Sequence, residues 1–148
     1  MTQSASSKAW HPAGYIEGLK VFVDNNLPPS LARGLNALFD PDHHAVCHRD
    51  KFGHTHIADE EWITALGAES DWVVLSGDLN IARKRPSREL FLRSGLVGFF
   101  PRAAVMELPL AKKAARILTL WDRMERISTD VRPGLFELQQ RGERFSQL

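Results

Sequence analysis

Asp71-Trp72-Val73-Val74-Leu75-Ser76-Gly77-Asp78 is the stretch on which the fold turns. Its apolar residues are consecutive rather than alternating, the pattern of a strand buried on both faces, and such strands belong to parallel sheets covered by helices. Leu19-Lys20-Val21-Phe22-Val23 upstream and Leu96-Val97-Gly98-Phe99-Phe100 downstream read the same way, and His44-Ala45-Val46-Cys47-His48 reads as a further strand. Helical patterns fill the gaps. Pro28 and Pro29 suit a first turn followed by Leu31, Leu35 and Leu38, and Asp40-Pro41-Asp42 stops that helix. Asp59-Glu60-Glu61 makes an acidic start before Trp62, Ile63 and Leu66. Pro86 opens a helix that runs through Leu90 and Phe91 to a stop at Gly95. The longest helix is expected from about Pro109 to Ser128, with Leu110, Ala114, Ile117, Leu118, Trp121 and Met124 on one face. Arg49 to His56 is expected as a polar loop, and Gly134–Leu138 as an edge strand before a polar tail. The alternation of strand and helix predicts an α/β fold, a mainly parallel sheet with helices on both faces.

The chain has 148 residues and 16.7 kDa, the size of one domain. Residues 1–14 are small and polar, broken by His11-Pro12-Ala13-Gly14, and are expected as a flexible arm before a single domain over 15–148. A hydrophobic share of 43% with 25% charged residues excludes global disorder. The lone Cys47 cannot form an internal disulfide, which suits a reducing compartment. The first residues lack the basic-then-apolar order of a secretory signal, and no apolar run approaches the roughly 20 residues of a membrane span. A cytoplasmic protein without a membrane partner is therefore expected. The net charge of +1 conceals an asymmetry: residues 1–79 hold 5 Lys+Arg against 11 Asp+Glu, and residues 80–148 hold 14 against 7. Such a division points to a partner with its own charge pattern.

In open parallel sheets ligands bind beyond the carboxyl ends of the strands. Asp24 and Asp78 follow two of the predicted strands, and Asp59 begins a helix. Each also suits a local role, Asp24 and Asp78 in turns beside Asn25 or Gly77 and Asp59 as a helix cap. Converging, the three carboxylates would repel one another unless a hard cation sat among them, and Mg²⁺ or Mn²⁺ takes such oxygen ligands together with water and phosphate.

Val21-Phe22-Val23-Asp24-Asn25-Asn26-Leu27-Pro28, then Asp59-Glu60-Glu61-Trp62-Ile63, then Val73-Val74-Leu75-Ser76-Gly77-Asp78-Leu79-Asn80 resembles, in order, the PIN-like ribonuclease superfamily, most of all the VapC-type toxins of bacterial toxin–antitoxin pairs. The resemblance spans roughly residues 19 to 105. It implies a doubly wound sheet and a Mg²⁺- or Mn²⁺-dependent nuclease centre that cleaves RNA, with Asp24, Asp59 and Asp78 as catalytic, metal-binding acids. It also implies an antitoxin protein as partner, and leaves a homodimer open. Asn25 is a supporting residue and Glu60 a backup should Asp59 serve only as a cap; Glu61 is a further reserve. Many relatives carry an acid where this chain has Asn80, which keeps an oxygen donor but lowers the charge of the site.

The basic half supplies the complement. Arg83, Lys84, Arg85 and Arg88 lie just beyond Asp78 and are expected to hold the RNA backbone without reading its sequence. Lys112, Arg116, Thr119, Arg123 and Arg126 form a polar stripe that reads as a solvated face; either cluster also suits an acidic segment of an antitoxin. His43, His44, His48, His54 and His56 crowd around Cys47, yet their spacing matches no familiar zinc pattern; His54 or His56 is the candidate for contact near the mouth. Trp10, Trp62, Trp72 and Trp121 are read as core or interface. Two rival readings remain: a non-catalytic PIN-like module, favoured by Asn80, and a phosphoacceptor of the receiver type, for which the paired acid and strand-borne lysine are not evident.

Overall fold

Four consecutive apolar residues cannot leave one face in water, and every one of Trp72–Leu75 is buried. That strand is the third of six in a single sheet: β1 Lys20–Val23, β2 His44–Cys47, β3 Trp72–Leu75, β4 Val97–Pro101, β5 Gly134–Leu138 and β6 Phe145–Gln147. The computed structural model describes residues 18–148; the arm expected over 1–14, with Trp10, lies outside the described residues.

The helices are α1 Pro29–Phe39, α2 His48–Phe52, α3 Asp59–Glu69, α4 Asn80–Arg83, α5 Arg85–Arg93, α6 Ala103–Met106, α7 Leu110–Thr119 and α8 Trp121–Asp130. The strand order is β2-β1-β3-β4-β5-β6, parallel throughout except for β6, which runs antiparallel to β5. In register, Val23 lies beside both Cys47 and Leu75, and Leu75 lies beside Phe99.

The sheet separates two cores. Val21, Val23, Val73, Leu75, Val97 and Phe99 pack with Leu31, Leu35 and Phe39 of α1 and Ile117, Trp121 and Met124 of α7 and α8. Phe22, Trp72, Val74 and Phe100 pack with Trp62, Ile63 and Leu66 of α3 and Phe91 of α5. Successive residues of one strand thus feed opposite clusters, and helices cover both faces. Each large apolar side chain buried this way stabilises the fold by about 1.5–3 kcal/mol.

Four expectations need correction. The helix expected over Pro109–Ser128 is two helices that meet at Leu120. The Thr119 hydroxyl donates to the Ala115 carbonyl, a local bond that bends helices, while the apolar face runs unbroken across the joint and hides it from periodicity. Leu38, expected inward on α1, is exposed, and Phe39 takes the buried position. The polar loop over Arg49–His56 begins as helix α2, closed by Gly53 in the left-handed region at φ 88°. Gly134–Leu138 is not an edge, because residues from the polar tail form β6 beside it. Three residues of mixed polarity carry too little pattern to mark a strand. Among the described residues no helix is long and apolar enough to cross a membrane.

Candidate functional site

From β1 the chain crosses to β2 on one side, while β3 lies on the other, so the strand order reverses between β1 and β3. At such a switch point the carboxyl ends of two strands frame a crevice. Asp24 follows β1 and Ser76–Asp78 follows β3. Three backbone bonds carry the ladder past the strand ends: Asp24 N donates to the Leu75 carbonyl at 2.9 Å, Ser76 N to that of Phe99 at 3.2 Å, and Arg102 N to that of Leu138 at 3.0 Å. The first residue beyond each of three strands is therefore fixed in one row along the edge of the sheet.

Asp24 is only 5% exposed, and each of its carboxylate oxygens is held. Oδ1 accepts from His48 Nε2 at 2.7 Å and from the Asn25 backbone N–H at 2.7 Å, and Oδ2 accepts from the Ser76 hydroxyl at 2.7 Å. Ser76, fully buried, in turn accepts from Asp78 N at 3.0 Å. Because an ionised carboxylate only accepts, the proton of the His48 bond lies on Nε2. The opposite ring nitrogen, Nδ1, is buried with no partner among the described residues, and the ring sits 4.7 Å from that of Phe22 and 5.9 Å from that of Trp62. A buried carboxylate survives there because three donors replace its water.

Asp59 enters from the first turn of α3. The Trp62 indole N–H donates to its Oδ1 at 3.0 Å, yet partial burial, reinforced by the charges of Asp24, Asp78 and Glu60, pushes its carboxyl above the ordinary aspartate range. Asp24, Asn25, Asn26, Asp59 and Asp78 line an open cavity of about 330 Å³. A second of about 310 Å³ shares Asp59 and Asp78 and continues past Glu60 and Asn80 to Lys84 and Ser87. The donor set is all oxygen, which suits a hard cation. Among the described residues no three His, Cys, Asp or Glu side chains stand close enough together to enclose an ion. Such a set fits a cation held by one or two carboxylates whose shell is completed by water and phosphate, the habit of Mg²⁺.

The remaining candidates divide. Asn25 turns its amide away to the Thr55 carbonyl at 2.8 Å, whereas Asn26 Oδ1 accepts from Gly77 N at 3.0 Å and ties the two strand ends together. Asn80 N donates to Asp78 Oδ1 at 3.0 Å and closes the turn into α4. Arg83, Lys84 and Arg85 are exposed, Arg85 within 3.3 Å of Glu89. Arg88 instead donates to the carbonyls of Ala82 at 2.9 Å and Leu148 at 3.0 Å, which ties α4 to the C-terminus. The histidines scatter: His43 accepts from Leu19 N at 3.0 Å and faces Glu125 at 3.6 Å, while His54 and His56 lie exposed in a loop. His48, Ser76 and Asn26 are the contributors that sequence reasoning missed. Ser76 lay within the quoted motif and His48 within the histidine cluster, but neither position marks a contact with Asp24.

The PIN like domain family matches residues 19–103, more than half of the chain. No curated protein and no solved structure matches significantly.

Proposed function

Since the chain belongs to the PIN-like domain family, we propose that it is a metal-dependent endoribonuclease, of the VapC toxin type, with Asp24, Asp59 and Asp78 as its metal-binding acids. The observation that carries this reading is that those three carboxylates line one open cavity at the switch point of a mainly parallel sheet, from which one or two of them at a time would reach a cation. We read that sheet as doubly wound. Mg²⁺ or Mn²⁺, when bound, would acidify a water and steady the leaving oxygen of a phosphodiester.

The chain's own residues supply the rest. Asp24, buried and held by His48, Ser76 and the Asn25 N–H, is a fixed carboxylate in the cavity lining. Asp59 and Asp78 are more exposed, and their mutual repulsion with Asp24 would be relieved by a cation. Asn80 and Glu60 line the continuation of the groove, where Lys84 offers a cation to the RNA backbone, with the exposed Arg83 next to it in the chain. An acidic antitoxin segment would meet the same cations, and cytoplasmic RNA is the substrate such a toxin needs.

A second reading, a PIN-like module that binds RNA or a protein without cleaving, draws on Asn80 and on the full engagement of both Asp24 oxygens. Incubation of purified protein with RNA and Mn²⁺ or Mg²⁺ separates the two: the nuclease reading expects cleavage that EDTA and Asp78→Asn both stop. Intact RNA in all conditions favours the module. Co-purification with the product of a neighbouring reading frame tests the toxin assignment.

A further inference from the structure

The row of residues at the carboxyl edge of the sheet does not end at the acids. Arg102 follows β4 and is pinned to β5 through the Leu138 carbonyl, and the turn from β5 to β6 carries Gln139, Gln140 and Arg141 to the same edge. Adjacent strands lie about 4.8 Å apart, so these groups stand roughly 5–10 Å along the edge from Ser76. The Met106 thioether of α6 packs against Gly77, which joins the segment after Arg102 to the turn that bears Asp78.

Arg102, Gln139, Gln140 and Arg141 line an open cavity of about 460 Å³ with Ala103 and Ala104. The turn is held in place rather than loose. Arg116 of α7 donates from Nε to the Gln139 carbonyl at 3.0 Å and from Nη2 to that of Gly142, and Gln139 Nε2 donates to the Ser146 hydroxyl at 3.0 Å. Arg102 reaches Gln139 Oε1 at 3.2 Å and lies 3.7 Å from Glu137, which partly offsets its charge. Glu143, the other acid of the turn, pairs with Arg123 at 3.0 Å. Arg141 is exposed and has no ion-pair partner among the described residues.

Resting on the nuclease reading, we infer that Arg141, Arg102 and the Gln139–Gln140 amides form a backbone-binding subsite for single-stranded RNA, beside the acidic cavity at the β4–β5 side of the sheet edge. The RNA strand runs along the sheet edge, with phosphates at Arg141 and Arg102 beyond the acids on the β4–β5 side. A guanidinium clamps phosphate in two-donor fashion and reads no base. The subsite therefore contributes affinity and register, and its contribution falls with salt.

The test is equilibrium binding of a fluorescent single-stranded RNA to the full chain in EDTA, where hydrolysis stops, across a series of salt concentrations. Arg141→Glu and Arg102→Ala are compared with Arg93→Glu, an exposed position at the end of α5 near the opposite edge of the sheet. The expected result is weaker binding for every RNA sequence tried, with the salt slope reduced by about 0.7 for each arginine removed from the subsite, and little change for Arg93→Glu. Unchanged affinity and slope in Arg141→Glu overturns the subsite while leaving the nuclease reading intact, even if an acidic protein partner is lost. An equal loss in Arg93→Glu also overturns it, because net charge alone then accounts for binding. Wild-type protein that neither binds nor cleaves RNA removes the nuclease reading and the subsite with it.

Discussion

His48 Nε2 and Asp24 Oδ1 stand 2.7 Å apart, and this buried bond joins the residue after β2 to the residue after β1 beneath the carboxylate cavity. It orients a carboxylate that is only 5% exposed, so His48 governs which edge of Asp24 a cation could reach. Groups that orient a ligand from behind commonly change metal affinity 10- to 100-fold when removed.

His48→Leu should accordingly weaken Mn²⁺ binding by about 10- to 100-fold in calorimetry, and His48→Gln, which keeps an N–H donor, should recover part of that loss. A folded His48→Leu protein with wild-type Mn²⁺ affinity would show that the bond serves the fold alone.

Asp78 accepts from Asn80 N and lies in both cavities, which places it where the two halves of the groove meet. Asp78→Asn keeps the shape and removes the charge. A loss of several kcal/mol in transition-state stabilisation corresponds to about 100-fold or more in rate. Single-turnover RNA cleavage with Mn²⁺ checks it, and undiminished cleavage would remove Asp78 from the catalytic set.

Burial, with the charges of Asp24, Asp78 and Glu60, raises the Asp59 carboxyl above its ordinary 3.8, against the pull of the Trp62 N–H. The folded chain thus holds that proton at a pH where the unfolded chain has released it. Stability from this group is present below 3.8 and falls as pH rises through the higher folded value, so at neutral pH the ionised form costs stability in metal-free protein. Asp59→Asn should raise the Tm in EDTA at pH 7, the advantage vanishing below pH 3.8. Saturating Mn²⁺ should shift the wild-type Tm upward more than that of the variant. Equal Tm values across the whole pH range in EDTA would contradict the crowding of acids.

Arg132 donates from Nη1 to the carbonyls of Trp72 at 3.1 Å and Gly95 at 3.0 Å, and from Nε to Ser128 at 3.3 Å. Half-buried, with its pKa lowered by that burial, it knits the start of β3 to the starts of β4 and β5. Hydrogen bonds to charged groups contribute about 1.5–3 kcal/mol, so Arg132→Leu should cost about 2–4 kcal/mol in urea unfolding. Lys lacks the fork and should rescue little. Mn²⁺ affinity of the folded variant should stay as in the wild type.

The legible part of the fold was the part encoded locally. Trp72–Leu75 and Val97–Phe100 announce buried strands through their own side chains, and the proline, acid and glycine signals around α1, α3 and α5 mark helix ends through local backbone chemistry. The break at Leu120 stayed hidden because both α7 and α8 present the same apolar stripe. Strand β6 stayed hidden because a short edge strand draws its stability from the neighbour it pairs with, here β5, and not from its own pattern. In the site, Asp24 and Asp78 were visible as acids at strand ends. His48 was visible only as one of the five clustered histidines, and the bonds of Arg88 to the Ala82 and Leu148 carbonyls were not visible at all.

By itself the sequence determined which segments are buried strands, where each stops, and that an acid follows two of them, because burial and chain reversal are written into neighbouring residues. The tertiary structure alone decided the strand order, and with it that Asp24 meets His48 across 24 positions and Ser76 across 52. The same order set Arg102 and Arg141 on the edge that holds the acids. Contacts between residues so far apart form only once the sheet is assembled. Periodicity has no means of stating which strand lies beside which.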